Sequence, residues 1–174
     1  MRPSGALPGS LSALGCLVGL ALVVACAGAR TTAEWGASLS DRERETALAA
    51  LPPEARESLM PLSQIFYERI THRRFNSRAT FEDPAMRQFF PTVAAYSDYY
   101  AALADALDLA HIRYDRPTRI ELLGIEPASA GSLRLSLRFV GRNDLPLRWW
   151  NAVLERTDEW RWQGGRWWVV PGKV

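Results

Sequence analysis

The spacing of apolar and polar positions changes twice along the chain. Residues 11–25, LSALGCLVGLALVVA, are uncharged and mostly apolar, with no polar face. From Ser40 to His111 the apolar residues recur at helical spacing, and from Arg119 to Val170 they follow the two-residue period of strands. Ser40-x-x-Glu43 is a capping box, in which each side chain satisfies the other residue's backbone N–H, so a helix is predicted from Asp41 to about Ala50, ended by Pro52-Pro53. A second helix is predicted over Glu54 to about Phe75, interrupted or kinked at Pro61. Its Leu62, Ile65, Phe66, Arg69 and Ile70 follow the i, i+3, i+4, i+7, i+8 rule, with the arginine stem lying along the apolar face. Asp83-Pro84 pairs an N-cap with proline at the first helical position and opens a short helix to about Phe90. Pro91-Thr92 then restarts a long helix to about His111, with Val93, Tyr96, Tyr100, Leu103, Leu107 and Ala110 as its apolar stripe.

The strands follow. RIELLGIE (119–126) reads as one, and SLRLSLRFV (132–140) as a clearer one, with Leu133, Leu135, Leu137 and Phe139 on one face and Arg134, Ser136 and Arg138 on the other. Residues 147–163 are predicted as a single long strand or as two parts joined by a bulge near Asp158. Gly164-Gly165 is a two-residue hairpin turn into 166–170, where Pro171 stops the chain's last strand. That turn pairs Trp162 with Trp167, Trp160 with Val169 and Arg161 with Trp168, where a cation–π contact is expected. Helices first and an antiparallel meander after them is α+β order.

The segment Arg156-Thr157-Asp158-x-Trp160, followed by Gly165-x-Trp167-x-Val169-Val170, resembles the last two strands of the nuclear transport factor two-like superfamily, which also includes polyketide-cyclase-like and ketosteroid-isomerase-like proteins. The resemblance covers about residues 55–171 and implies an α+β fold with helices packed in a strongly curved antiparallel β-sheet, a cone-like roll with an open mouth. Residues 38–53 are then an added helix. Enzymes of that superfamily use Asp, His and Tyr side chains inside the cone. Here Phe66, Tyr67, Tyr96, Tyr100, Trp149, Asn151, Trp160 and Asp158 are candidates to line such a pocket; the alternative is that the aromatic side chains fill the interior as core. Tyr99, Trp150 and Trp162 belong to the same aromatic set. Asp158 is either part of an acid/base site or satisfies a strand break, and Asn151 either points inward or bonds to a neighbour. His72 and His111 both end helices, where positive charge complements the dipole. Asp98, Asp105 and Asp108 flank the apolar stripe and are expected in water, and Arg73, Arg74 and Arg78 read as a solvated face.

Composition changes the picture at the N-terminus. The apolar run of 11–25 is shorter than the ~20 residues that span a membrane and matches the apolar region of a secretory signal, with Arg2 before it. Val23-Val24-Ala25-Cys26 resembles the bacterial lipobox, whose cysteine receives a diacylglycerol and becomes the first residue after cleavage. Ala27-Gly28-Ala29 is a competing site for ordinary signal cleavage. The domain organisation expected is a lipoprotein signal peptide over 1–25, a flexible tether over 26–38 and an α+β domain over 39–174. Both cysteines, Cys16 and Cys26, precede that domain, which excludes a disulfide or a multi-cysteine metal site within it. No metal ligands at recognisable spacing and no cofactor motif are present. The formal net charge of +2 on 174 residues, one charge of it at Arg2, leaves a near-neutral domain with no long-range pull on nucleic acid or acidic membranes. The reading is an exported, lipid-anchored protein of the bacterial cell envelope, on the outer membrane facing the periplasm. Its cone domain binds a small apolar molecule or an envelope protein. The alternatives are an isomerase, dehydratase or cyclase with an acid/base in the cone, and an assembly factor or homodimer packing through the tryptophan-rich sheet.

Overall fold

Side-chain caps mark the start of four of the five helices among the described residues, and the helix that begins at Pro53 has none. In the computed structural model, which describes residues 35–172, the helices are α1 (Asp41–Leu48), α2 (Pro53–His72), α3 (Arg78–Phe81), α4 (Pro84–Arg87) and α5 (Val93–Leu109). Ser40 and Glu43 close the capping box, with the Ser40 hydroxyl accepting from Glu43 N at 3.2 Å and the Glu43 carboxylate accepting from Ser40 N at 2.9 Å. Asp83 accepts from Ala85 N at 2.9 Å and Thr92 from Ala95 N at 3.1 Å. The single turn α3, capped by Ser77, has no counterpart in the apolar periodicity. Of the interruption or kink expected at Pro61, the interruption is absent, and α2 runs through it. Leu59, Ser63 and Phe66 on either side are fully buried on one face, so tertiary packing carries the helix across the lost hydrogen bond.

The expected stripes face the core for the most part: Phe66, Ile70, Tyr96, Leu103 and Leu107 are buried, and Leu62, Tyr100 and Ala110 pack against the core. On α2 the buried residues are Ala55, Leu59, Ser63, Phe66, Tyr67 and Ile70, while Ile65 is exposed. On α5 they are Tyr96, Tyr99, Leu103, Ala104 and Leu107, while Val93 is exposed. Asp98, Asp105 and Asp108 are in water as expected.

Four antiparallel strands follow in the order β1 (Ile112–Ser129), β2 (Ser132–Asn143), β3 (Asn151–Gln163) and β4 (Arg166–Val170). The architecture is α+β. β1 starts earlier than its alternation suggests because its first part is irregular: Ile112 faces Asn143 and Pro117 faces Gly141, so the intervening residues bulge. Within that bulge Tyr114 and Asp115 have φ of 62° and 47°, after His111 at 56°. β3 starts at Asn151, not at Leu147, and Leu147 itself is left-handed at φ 64° in the β2–β3 loop. Of the two readings for 147–163, the unbroken strand holds near Asp158, since β2 and β3 pair without a slip from Arg142↔Asn151 to Ser132↔Arg161. The hairpin register is as predicted, and Gly164 and Gly165 supply the positive φ that its turn needs. The cation over Trp168 is Arg166 at 4.1 Å; Arg161 instead donates to Ser132 Oγ.

One sheet face is core. Leu133, Leu135, Leu137, Phe139, Trp160, Trp167 and Val169 are buried on it against α2 and α5. The other face is solvated and carries ion pairs such as Arg138–Glu155 at 2.8 Å. Trp167 Nε1 donates to Ala55 O at 3.1 Å, and Val169 N donates to Phe89 O at 2.8 Å, which ties β4 to α2 and to the segment before α5.

Gly141 tests the irregular β1 edge. A Cβ there would stand 2.5 Å from Cγ2 of Ile112, a buried β-branched side chain with little freedom to retreat. Gly141→Ala is expected to cost about 1–3 kcal/mol in urea unfolding. The same substitution in an Ile112→Ala background should cost clearly less, and an undiminished cost there would place the strain elsewhere.

Candidate functional site

Strand alternation places Arg156, Asp158 and Trp160 on the core side of β3. Asp158 is 2% exposed. One carboxyl oxygen, Oδ2, accepts from the Tyr67 hydroxyl and from the Tyr99 hydroxyl, both at 2.8 Å. The other, Oδ1, accepts from Arg156 Nε at 2.7 Å. Trp160 Nε1, which can only donate, gives its proton to the Tyr67 oxygen at 3.0 Å, so the Tyr67 hydroxyl must point its own proton at Asp158. The arrangement is a chain of donors, Trp160 to Tyr67 to Asp158, joined by Tyr99 and Arg156. It links α2, α5 and β3 through one carboxyl group.

An aromatic shell surrounds the group. The Phe66 ring lies 5.0–6.0 Å from the rings of Tyr67, Phe89, Phe90, Tyr99 and Trp160. Arg156 also stands over the Tyr99 ring at 5.1 Å. The outer side of Tyr67 is covered by Trp35, stacked at 5.4 Å and anchored by its Nε1 donating to Ser63 Oγ at 3.0 Å. Ser38 Oγ donates to Leu122 O at 2.7 Å. The part of the expected tether that lies within the described residues is therefore docked on the domain.

Burial, then the neighbouring Asp158 charge, raises the pKa of both Tyr67 and Tyr99 well above tyrosine's ordinary value. Burial also raises Tyr96. For Arg156, burial opposes the charge, but Asp158 outweighs it and the pKa rises. Chemically, these groups are donors committed to one acceptor. Neither phenol is poised to ionise near neutrality.

The candidate residues divide into three sets. Phe66, Tyr67, Trp160 and Asp158 come together in the buried cluster. Tyr96 and Tyr100 lie on the same helix but send their hydroxyls to Thr80 O at 2.7 Å and Ser77 O at 3.1 Å, holding the α3 segment down. Trp149 and Asn151 lie outside, exposed at and beside the β2–β3 loop. Tyr99, from the wider aromatic set, and Arg156, at the head of the Arg156-Thr157-Asp158-x-Trp160 segment, complete the cluster. The available signal was the two-residue spacing of Arg156, Asp158 and Trp160 on one strand face. Cys26 lies outside the described residues. His72 ends α2 in the open, and His111 Nδ1 lies 3.3 Å from Asp144 Oδ1. A second buried acid, Asp115, sits in the β1 bulge; burial raises its pKa and Arg74 counters this. A shallow surface cleft of about 400 Å³ is lined by Ile65, Glu68, Arg69, His72, Arg73 and Asp83, with both arginines 3.6–3.7 Å from Asp83. Among the described residues no group of acidic, histidine or cysteine side chains could hold a metal ion, and no helix is long and apolar enough to cross a membrane.

No family model, curated protein or solved structure matches the chain.

Removing the shared acceptor should cost most. Asp158→Ala is expected to lose about 3–5 kcal/mol in urea unfolding, because Arg156 and two phenols lose their partner in the interior. Tyr67→Phe should cost about 1–3 kcal/mol and more than Tyr99→Phe, since only the Tyr67 oxygen also serves Trp160. Equal small losses for all three would contradict the cluster. The raised phenols also set an alkaline limit. Below tyrosine's ordinary pKa of 10.0 both states keep their protons and the stabilisation is full. Above it the unfolded chain releases protons that the native state retains, so stability should fall by about 1.4 kcal/mol per pH unit for each phenol. Tyr67→Phe/Tyr99→Phe should flatten that fall, as followed by chemical unfolding across the alkaline range.

Proposed function

We propose that the chain is an exported, lipid-anchored cell-envelope protein whose α+β domain acts by binding, to an envelope protein or a small apolar molecule, and not by catalysis. The observation that carries the binding half is the state of Asp158. All of its near donors are protein groups, its phenols are held protonated, and Trp35 covers the outer side of Tyr67. An acid or base must be within reach of a substrate proton to work. A group spent on three internal donors inside an aromatic shell meets the demands of a core. Binding then falls to the outer surface, where a second copy pairing through the sheet is a further candidate partner. The export half rests on the uncharged run of 11–25 and on Val23-Val24-Ala25-Cys26 at its end. Two acyl chains or more on Cys26 would hold the protein firmly, at ~0.8 kcal/mol per buried CH₂. The membrane proposed is the outer one, on its periplasmic side.

In the same reading, the domain is a variant of the nuclear transport factor two-like roll, with its sheet curved around α2 and α5. The helix-then-meander order and the inward Asp158-x-Trp160 segment support this kinship. One observation favours the enzyme reading: a carboxyl group flanked by two phenols is a set able to move protons, provided Trp35 leaves. A Trp35→Ala chain that gains saturable binding of an apolar probe would support that second reading.

Metabolic labelling with a palmitate analogue tests the anchor. Wild type is expected to carry the label and to stay with the membrane pellet, and Cys26→Ala to lose the label. Label retained in Cys26→Ala would overturn the assignment of the site.

A further inference from the structure

Eight large hydrophobic side chains are exposed among the described residues, and five of them gather at one end of the domain. Leu147, Trp149 and Trp150 lie on the β2–β3 loop, and Leu109 and Tyr114 lie at the α5–β1 junction. The two segments are neighbours: Ile112 pairs with Asn143, and Asp144 N donates to His111 O at 3.1 Å. The loop is built and held. Leu145 N donates to Asn143 Oδ1 at 2.9 Å, Arg148 N donates to Leu145 O at 3.3 Å, and Leu147 takes the left-handed region. This geometry leaves Leu147 97% and Trp149 91% exposed, with no wall of protein beside them. Trp149 and Trp150 meet edge to face at 6.0 Å. Arg148 lies over Trp150 at 5.7 Å, and Arg113 over Tyr114 at 4.8 Å.

We propose that this end of the domain dips into the headgroup layer of a phospholipid membrane. Tryptophan and tyrosine favour that layer, because their rings are apolar and their N–H and O–H groups are not. Leucine at the apex reaches the acyl boundary, while arginine stems run along the rings and keep their charge at the phosphates. At this end Arg113, Arg116, Arg142 and Arg148 stand against Asp108 and Asp144 as exposed charges, an excess that suits anionic lipid. A protein partner is less well served by this shape. A stable interface needs about 800 Å² on each side with matching walls, whereas a loop apex with nearly naked side chains is a point.

The reach fits a membrane, and in this respect alone the inference rests on the proposed lipid at Cys26. Trp35 is fixed on the domain, and it stands nine residue steps from Cys26, a span of at most about 30 Å. Ser38 is held at Leu122, which pairs with Leu137; Asn143, the root of the loop, is six residues further along β2, about 20 Å away. A tether of that length lets the loop touch the same membrane that holds the lipid.

The test uses the full chain, purified with its lipid, carrying a nitrobenzoxadiazole dye on Trp149→Cys or on Gln163→Cys at the opposite end of β3. Both are bound to phosphatidylethanolamine–phosphatidylglycerol vesicles, with and without headgroup-labelled doxyl lipid. The expected result is a blue shift and loss of emission at 149 and neither at 163. Leu147→Cys, equally free of packing, should behave as 149 does. Chain that sediments with vesicles but shows no quenching at 147 or 149 would overturn this inference and leave the anchor standing. Quenching at 149 that persists in Cys26→Ala would support the loop while the anchor fails. Dye–dye quenching between copies at 149, without quenching by lipid, would give the surface to a second copy and refute the membrane.

Discussion

A carboxyl group removed from water must find its hydrogen bonds inside the protein, and Asp158 does so from three directions. Moving such a group into the interior costs several kcal/mol unless partners meet it. Tyr67 arrives from α2, Tyr99 from α5 and Arg156 from the same strand, each within 2.8 Å. The partners fix more than themselves. A helix that presents Tyr67 to Asp158 also presents Phe66 to Trp160, Leu59 to the core and Ile65 to water. A helix that presents Tyr99 buries Leu103 and Leu107 and exposes Val93. Both helices keep most of their apolar stripe in the core, and satisfying one acid adds Tyr67 and Tyr99 to it.

The same constraint shapes where function resides. A cluster with its acceptors occupied and its phenols held protonated stabilises the junction of two helices and a sheet. The loop of Leu147–Trp150 and the docked Trp35 lie outside that cluster.

Local chemistry was legible in the sequence and distant chemistry was not. The capping box at Ser40, the cap at Asp83, the helix restart at Pro91-Thr92 and the register across Gly164-Gly165 depend on residues within a few positions of one another, and each is found as read. Periodicity failed where tertiary partners decided the outcome. Tyr99 and Tyr100 are adjacent, and only a partner on β3 makes the former the buried one. Residues 147–150 read as strand because apolar residues in a loop and on a sheet share one alphabet, and the left-handed Leu147 in the β2–β3 loop carries no warning. The start of β1 is hidden by a bulge whose residues lack the alternation. Asp158 stood out as an acid among tryptophans, but its two tyrosines lie 91 and 59 residues away, beyond what spacing can disclose.

A thermodynamic cycle tests directly whether the phenols act through Asp158. Tyr67→Phe and Tyr99→Phe are each measured by urea unfolding in the native chain and again in an Asp158→Leu background, where a side chain of similar reach offers no acceptor. If the hydroxyls serve Asp158, their removal destabilises the native chain and costs nothing, or stabilises, in the leucine background, giving a coupling of about 1–3 kcal/mol for each pair. If instead the costs are the same in both backgrounds, the hydroxyls serve another partner, and the account of the buried acid as the organiser of this fold is wrong.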